Sequence, residues 1–139
     1  ELQAFAKRDV RSQRYQQAAG VGLITATALS ASLGELARFD FGRHLASALG
    51  LVPREHSSGN TRRLGRVTKR GDSYLRTLLI HGTRSVLRLT ADKTDRKSRG
   101  AEALKERACA NVAAVALAAK KARILWAMRS RGTEYQVAS

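Results

Sequence analysis

Residues 101–131 read AEALKERACANVAAVALAAKKARILWAMRSR, and the regular element that fits their spacing is a long α-helix. Leu104, Ala108, Val112, Val115, Ala119, Ala122 and Trp126 recur at steps of three and four, the signature of one helical face. Alanine and leucine favour the helix intrinsically, and Gly132 supplies a stop just beyond it. The small residues on the stripe let a neighbouring helix approach closely. Trp126, with Ile124 and Leu125, is a packing anchor, and Cys109 reads as a buried structural residue.

Upstream, residues 91–100 (ADKTDRKSRG) form a charged linker without periodicity. Before it, residues 74–90 repeat the helical pattern: Leu75, Leu78, Leu79, Gly82, Val86 and Leu89 fall three or four apart, while Arg76, Arg84 and Arg88 share another face. Asp72 or Ser73 can cap that helix. Residues 54–71 lack this pattern and contain Gly59, Gly65 and Gly71, which predicts a basic loop or a short β-ribbon. A short helix is expected over 41–49, ended by Gly50 and by Val52 before proline, and another over 23–33, closed by Gly34. Residues 1–17 read as the end of a connecting helix that begins upstream, and 18–139 as a single domain. The expected fold class is all-α, with a basic loop or ribbon in the middle and a long carboxy-terminal helix.

Composition narrows the function. The chain has 139 residues, the size of one domain, and 43% are hydrophobic, enough for a packed core. Its 26 basic and 11 acidic residues leave a net charge of +15, with six basic and one acidic residue between positions 54 and 70. Nineteen of the basic residues are arginine, whose planar fork matches phosphate oxygens, so the expected partner is nucleic acid. Only 5% of residues are aromatic, which excludes single-strand binders built on rows of stacking rings. One cysteine excludes an internal disulfide, and His44, His56 and His81 have no metal-ligand spacing, so no metal site is expected in this chain. No apolar run approaches the roughly 20 residues of a membrane span, and no signal peptide is visible at Glu1-Leu2-Gln3. The expected location is the cytoplasm. The chain reads as a piece of something longer.

Two constellations could carry chemistry. Gly20-Val21-Gly22 precedes Leu23-Ile24-Thr25-Ala26, a glycine turn that opens a helix. Unpaired amides at such a turn attract phosphate, and two short helices around it form a helix–hairpin–helix grip on DNA backbone. The same glycines would also serve a plain helix-to-helix turn. The second constellation is His56-Ser57-Ser58-Gly59-Asn60-Thr61-Arg62-Arg63, continuing through Arg66, Lys69 and Arg70. Hydroxyls beside guanidinium groups can bind phosphate oxygens, or can supply a serine nucleophile whose developing charge on phosphorus the cations neutralise. Ser57 and Ser58 are equally ordinary turn residues. A non-catalytic helix–hairpin–helix module and a structural RNA-binding protein are alternatives consistent with the same charge.

The order of motifs is more specific than any one of them. Gly20-Val21-Gly22-x-x-Thr25-Ala26 is followed by Phe41-Gly42-x-x-x-Leu45-Ala46 and Gly50-Leu51-Val52-Pro53. Ser58-Gly59, Gly65-Arg66-Val67-Thr68-Lys69-Arg70-Gly71 and Leu75-Arg76-x-Leu78-Leu79 come next, then Asn111-Val112-Ala113 and Lys121-Ala122-Arg123-Ile124-Leu125-Trp126-Ala127. Over residues 15–135 this resembles the carboxy-terminal transposase domain of the bacterial insertion-sequence families one-ten and eleven-eleven. Ala19 departs from the proline that many relatives carry before Gly-x-Gly. The resemblance implies a recombinase guided by a bridge RNA, working as an oligomer, whose amino-terminal RuvC-like half holds four acidic residues and divalent metal, with magnesium expected. That half is absent from this sequence, so the isolated chain is expected to bind DNA or guide RNA without completing recombination. The resemblance places the nucleophile, which forms a phosphoserine with DNA, on Ser58. Gly20, Gly22, Thr25, Ser57, Gly59, Arg62, Arg63, Arg66, Lys69, Arg70 and Arg76 are the expected nucleic-acid contacts.

Overall fold

The amino-terminal residues form two helices rather than one. In the computed structural model, which describes residues 1–32, 39–58, 61–67, 73–89, 99, 100, 103, 106 and 109–131 (the strands by backbone alone), α1 spans Leu2–Arg8 and α2 spans Val10–Gln16. Asp9 between them is extended, with φ −93° and ψ 104°, and its carboxylate accepts from the amides of Arg11 and Ser12 at 3.3 Å each. That satisfies two amides that a helix start leaves without partners. The same carboxylate accepts from the Ser30 hydroxyl of the next helix. A capping carboxylate held from two sides therefore divides the helix expected over residues 2–17.

Helix α2 ends in a turn at Gly20, which is left-handed at φ +81°, and α3 follows over Leu23–Ala31. Gly34, the expected stop, lies outside the described residues. Helix α4 spans Gly42–Ala48 and is closed by Gly50 at φ +69°, as expected. The Gly50 amide donates to the Ser47 carbonyl and the Leu51 amide to the Ala46 carbonyl, at 2.9 and 3.0 Å, the paired bonds of a Schellman stop. The basic segment is a ribbon: β1 (Pro53–Ser58) and β2 (Thr61–Val67) pair antiparallel, with an irregularity between Pro53 and Glu55. The rest of the described architecture is helical, as expected.

Helix α5 covers Ser73–Leu89 and α6 covers Ala110–Arg131. The helix expected to begin at 101 is interrupted. Positions 103 and 106 are helical, but Cys109 is not, and it is exposed rather than buried. The buried face of α6 also differs from the expected stripe: Ala114, Ala118, Ala122 and Leu125 are buried, whereas Val112 is exposed. Alanines win that face because α4 and α5 lie against it. On α5 the buried row is Leu75, Leu79, Thr83 and Leu87, and Leu89 is exposed. Thr83 is tolerated there because its hydroxyl donates to the Ile80 and Ala114 carbonyls, at 2.9 and 3.0 Å. Trp126 packs against the core and its Nε1 donates to the Phe39 carbonyl at 2.9 Å, the anchor role expected of it.

Tyr15, Ala18, Val21 and Leu29 share one core with Leu45, Leu49, Leu79, Ala118 and Leu125. Tyr15 of α2 thus packs into the core that the later helices share. Burial raises the Tyr15 phenol above its usual value of 10.0, against the lowering influence of Arg129 and Arg11. A raised phenol stabilises the fold fully below pH about 10 and loses that contribution as pH climbs through the folded value. Urea midpoints of the chain are expected to fall as pH rises above about 10, and Tyr15→Phe to fall less steeply. Parallel declines for the two proteins would remove Tyr15 as the cause.

Candidate nucleic-acid interface

The glycine turn is shaped by packing. A Cβ on Gly20 would sit 2.8 Å from the Gly82 carbonyl oxygen and 2.9 Å from Val86 Cγ2, and one on Gly82 would sit 1.9 Å from the Gly20 oxygen. Gly20 and Gly82 thus let the turn and α5 touch backbone to backbone. Gly22 is the more accessible of the pair. It is exposed, has φ −87°, caps α3 without a side chain, and nothing lies within 4 Å of a Cβ built on it. The left-handed backbone of the turn is at Gly20, and Gly22 has an ordinary negative φ. Thr25 is buried, only 6% exposed, so its hydroxyl is not presented to a nucleic acid; its backbone amide belongs to the first turn of α3. Helices α2 and α3 flank this turn.

In the ribbon, the register pairs Ser58 with Thr61, Ser57 with Arg62, His56 with Arg63, and Glu55 with Leu64. Successive strand positions alternate between faces. Positions 56, 58, 61 and 63 therefore share one face, and 55, 57, 62 and 64 the other. The two adjacent serines are separated by the pleat. Arg66 lies further along β2. Gly59, Lys69 and Arg70 lie outside the described residues.

Arg76 does not extend into a free basic face. It is partly buried and its Nη1 donates to the Leu49 carbonyl at 3.3 Å, bracing the end of α4 against α5. Arg84 donates to the Asn111 side-chain oxygen at 3.1 Å, while Arg88 is exposed. Arg84 and Arg88 line a cavity of about 610 Å³ with Leu87, Ala110 and Asn111, where α5 ends and α6 starts.

A wider signal was missed by reading motif by motif. Helices α4, α5 and α6 contain no Asp or Glu at all, yet carry Arg43, Arg76, Arg84, Arg88, Lys120, Lys121, Arg123, Arg129 and Arg131. Arg43, Arg88, Lys120 and Arg123 are exposed, and Lys121 is buried. The positive potential therefore extends over the helical body rather than residing in the ribbon alone. Counting acids across the expected helices would have found it. Among the described residues no three His, Cys, Asp or Glu side chains converge as metal ligands, and no helix is long and apolar enough to cross a membrane.

Residues 12–100 match the transposase IS116/IS110/IS902 family. The chain is 54% identical over 136 residues to a probable family 20 transposase of Pseudomonas aeruginosa, covering 98% of this chain and 40% of that protein. It is 48% identical to the transposase for insertion sequence element IS1111A of Coxiella burnetii, covering 98% of this chain and 37% of that protein. It is 34% identical to the transposase for insertion sequence element IS1328 of Yersinia enterocolitica, again over 97% of this chain and 40% of that protein. The chain thus spans about 40% of the length of the relatives it matches.

Proposed function

We propose, since the chain belongs to the transposase IS116/IS110/IS902 family, that it is the DNA-binding and serine-bearing domain of an insertion-sequence recombinase. The observation that carries the reading is the ribbon: its register sets Ser58 and Arg63 on one face, inside the most basic segment of the chain. On this reading the Ser58 hydroxyl attacks a DNA phosphodiester. A bond forms between serine oxygen and phosphorus, one ester P–O bond breaks, and the departing sugar oxygen ends with the proton the serine gave up. Arg63, on the same face as Ser58, neutralises the charge that builds on the phosphoryl oxygens, Arg62 and Arg66 meet neighbouring phosphates, and the Gly20–Gly22 turn grips DNA backbone. Arg76 contributes by holding α4 on α5, and Lys69, Arg70, Ser57 and Gly59 complete the phosphate-contacting segment.

A RuvC-like half with acidic residues would hold divalent metal, and in the described residues of this chain no ligand set fits one. Guide RNA and further copies of the protein are the other proposed partners, and the bacterial nucleoid the proposed site of action. Adduct formation by the full-length protein, with Ser58 and Ser57 replaced in turn, tests the serine. Binding is tested by salt. Log affinity for duplex DNA is expected to fall by about 0.9 per phosphate neutralised for each tenfold rise in salt. Affinity that stays level from low to moderate salt would exclude a phosphate grip.

A further inference from the structure

Phe41 is a large aromatic left 54% exposed at the start of α4, in a chain where few residues are aromatic. Its ring is not loose. The Arg43 guanidinium carbon lies 5.5 Å from the ring centroid, and the His44 imidazole meets the ring edge-on at 5.4 Å and 84°. The turn is also seated firmly: a Cβ on Gly42 would lie 3.1 Å from the Arg123 Cα, so α4 begins directly against the α6 backbone. Arg123 is exposed at that contact, and Lys120, three positions earlier on the same helical face, is exposed as well. Asp40 is the one carboxylate adjoining this cluster in sequence, against the three cations Arg43, Lys120 and Arg123. The other half-exposed phenylalanine, Phe5, lines a cavity with Arg8, Asp9, Arg11 and Ser30.

We infer that Phe41 is a stacking platform for one unpaired nucleobase, with Arg43, Lys120 and Arg123 meeting the phosphates on either side of it. A base has an apolar face of the size of this ring and flanking negative charge, which is the complement of what the cluster offers. A phenylalanine pre-oriented by an arginine and a histidine loses little freedom when a base stacks on it. None of these residues belongs to the ribbon or the glycine turn, and the inference rests on the proposed reading of the chain as a nucleic-acid binder. It also sits within what composition permits, because a single platform needs one ring and not a row.

The test measures binding of the chain to oligonucleotides carrying one 2-aminopurine, as single-stranded DNA, single-stranded RNA and fully paired duplex. Stacking quenches that fluorophore. The wild type is expected to quench it in a single-stranded arm, and the arm that binds more tightly identifies DNA or RNA as the source of the base. Phe41→Ala is expected to weaken that binding by about tenfold and to abolish the quench, while Phe41→Trp retains both. Duplex affinity should change less than twofold. Equal single-strand affinity and quench in Phe41→Ala, at unchanged circular dichroism, overturns the platform and leaves the ring as a contact for another protein segment. Absence of binding to all three oligonucleotides overturns the nucleic-acid reading itself, and the platform with it.

Discussion

Replacing Gly82 by alanine is expected to destabilise the chain by roughly 3 kcal/mol or more, although alanine is the better helix former. Alanine in a helix interior gains up to about 1 kcal/mol over glycine. Against that, the new methyl carbon would stand 1.9 Å from the Gly20 carbonyl oxygen, well inside any contact distance. The obstacle is backbone, which cannot rotate away as a side chain does. The glycine turn and α5 must therefore separate, and Val21, Leu29, Leu75 and Leu79 lose packing in the shared core. Small domains are stable by roughly 5–15 kcal/mol, so such a loss should lower the melting temperature by on the order of 10 °C. Gly100→Ala is the matched control, a helical glycine with nothing within 4 Å of its built Cβ, and should be neutral or slightly stabilising. A Gly82→Ala protein that melts at or above the wild-type temperature would show that the two backbones do not touch.

In the full-length protein, Ser58→Ala is expected to abolish the covalent protein–DNA adduct while leaving DNA binding nearly intact. Removing the attacking oxygen eliminates the bond to phosphorus outright. Removing one hydroxyl from a grip built on many cations costs about 1 kcal/mol, less than a tenfold change in affinity. Ser57→Ala is expected to keep the adduct, because the register puts position 57 on the opposite face of the ribbon, across from Arg62. Adduct trapped on a denaturing gel reads both variants, and a filter-binding titration checks that they still bind. Adduct formation by Ser58→Ala would remove the assignment. Loss in Ser57→Ala alone would move the chemistry to the other face, with Arg62 rather than Arg63 beside the nucleophile.

Much of this protein was determined by its sequence alone. Three- and four-residue spacing announced α5 and α6, Gly50 marked the end of α4, and the aperiodic basic segment was readable as a loop or a ribbon. Those features are local: a helix repeats every few residues, and a glycine in the left-handed region stops it wherever it falls. The ordered motifs also sufficed to identify the family. What only the tertiary structure decided concerns residues far apart in the chain. Asp9 breaks a helix because Ser30 and two amides meet its carboxylate, and Val112 faces solvent because α4 and α5 pack on the alanine face beside it. Thr25 turns inward, Arg76 reaches the Leu49 carbonyl, and Gly20 meets Gly82. Periodicity records how apolar a face is but not what will lie against it. A contact between two backbones has no side chain to announce it, so the glycine that looked like a phosphate turn proved equally to be a place where two segments of chain come together.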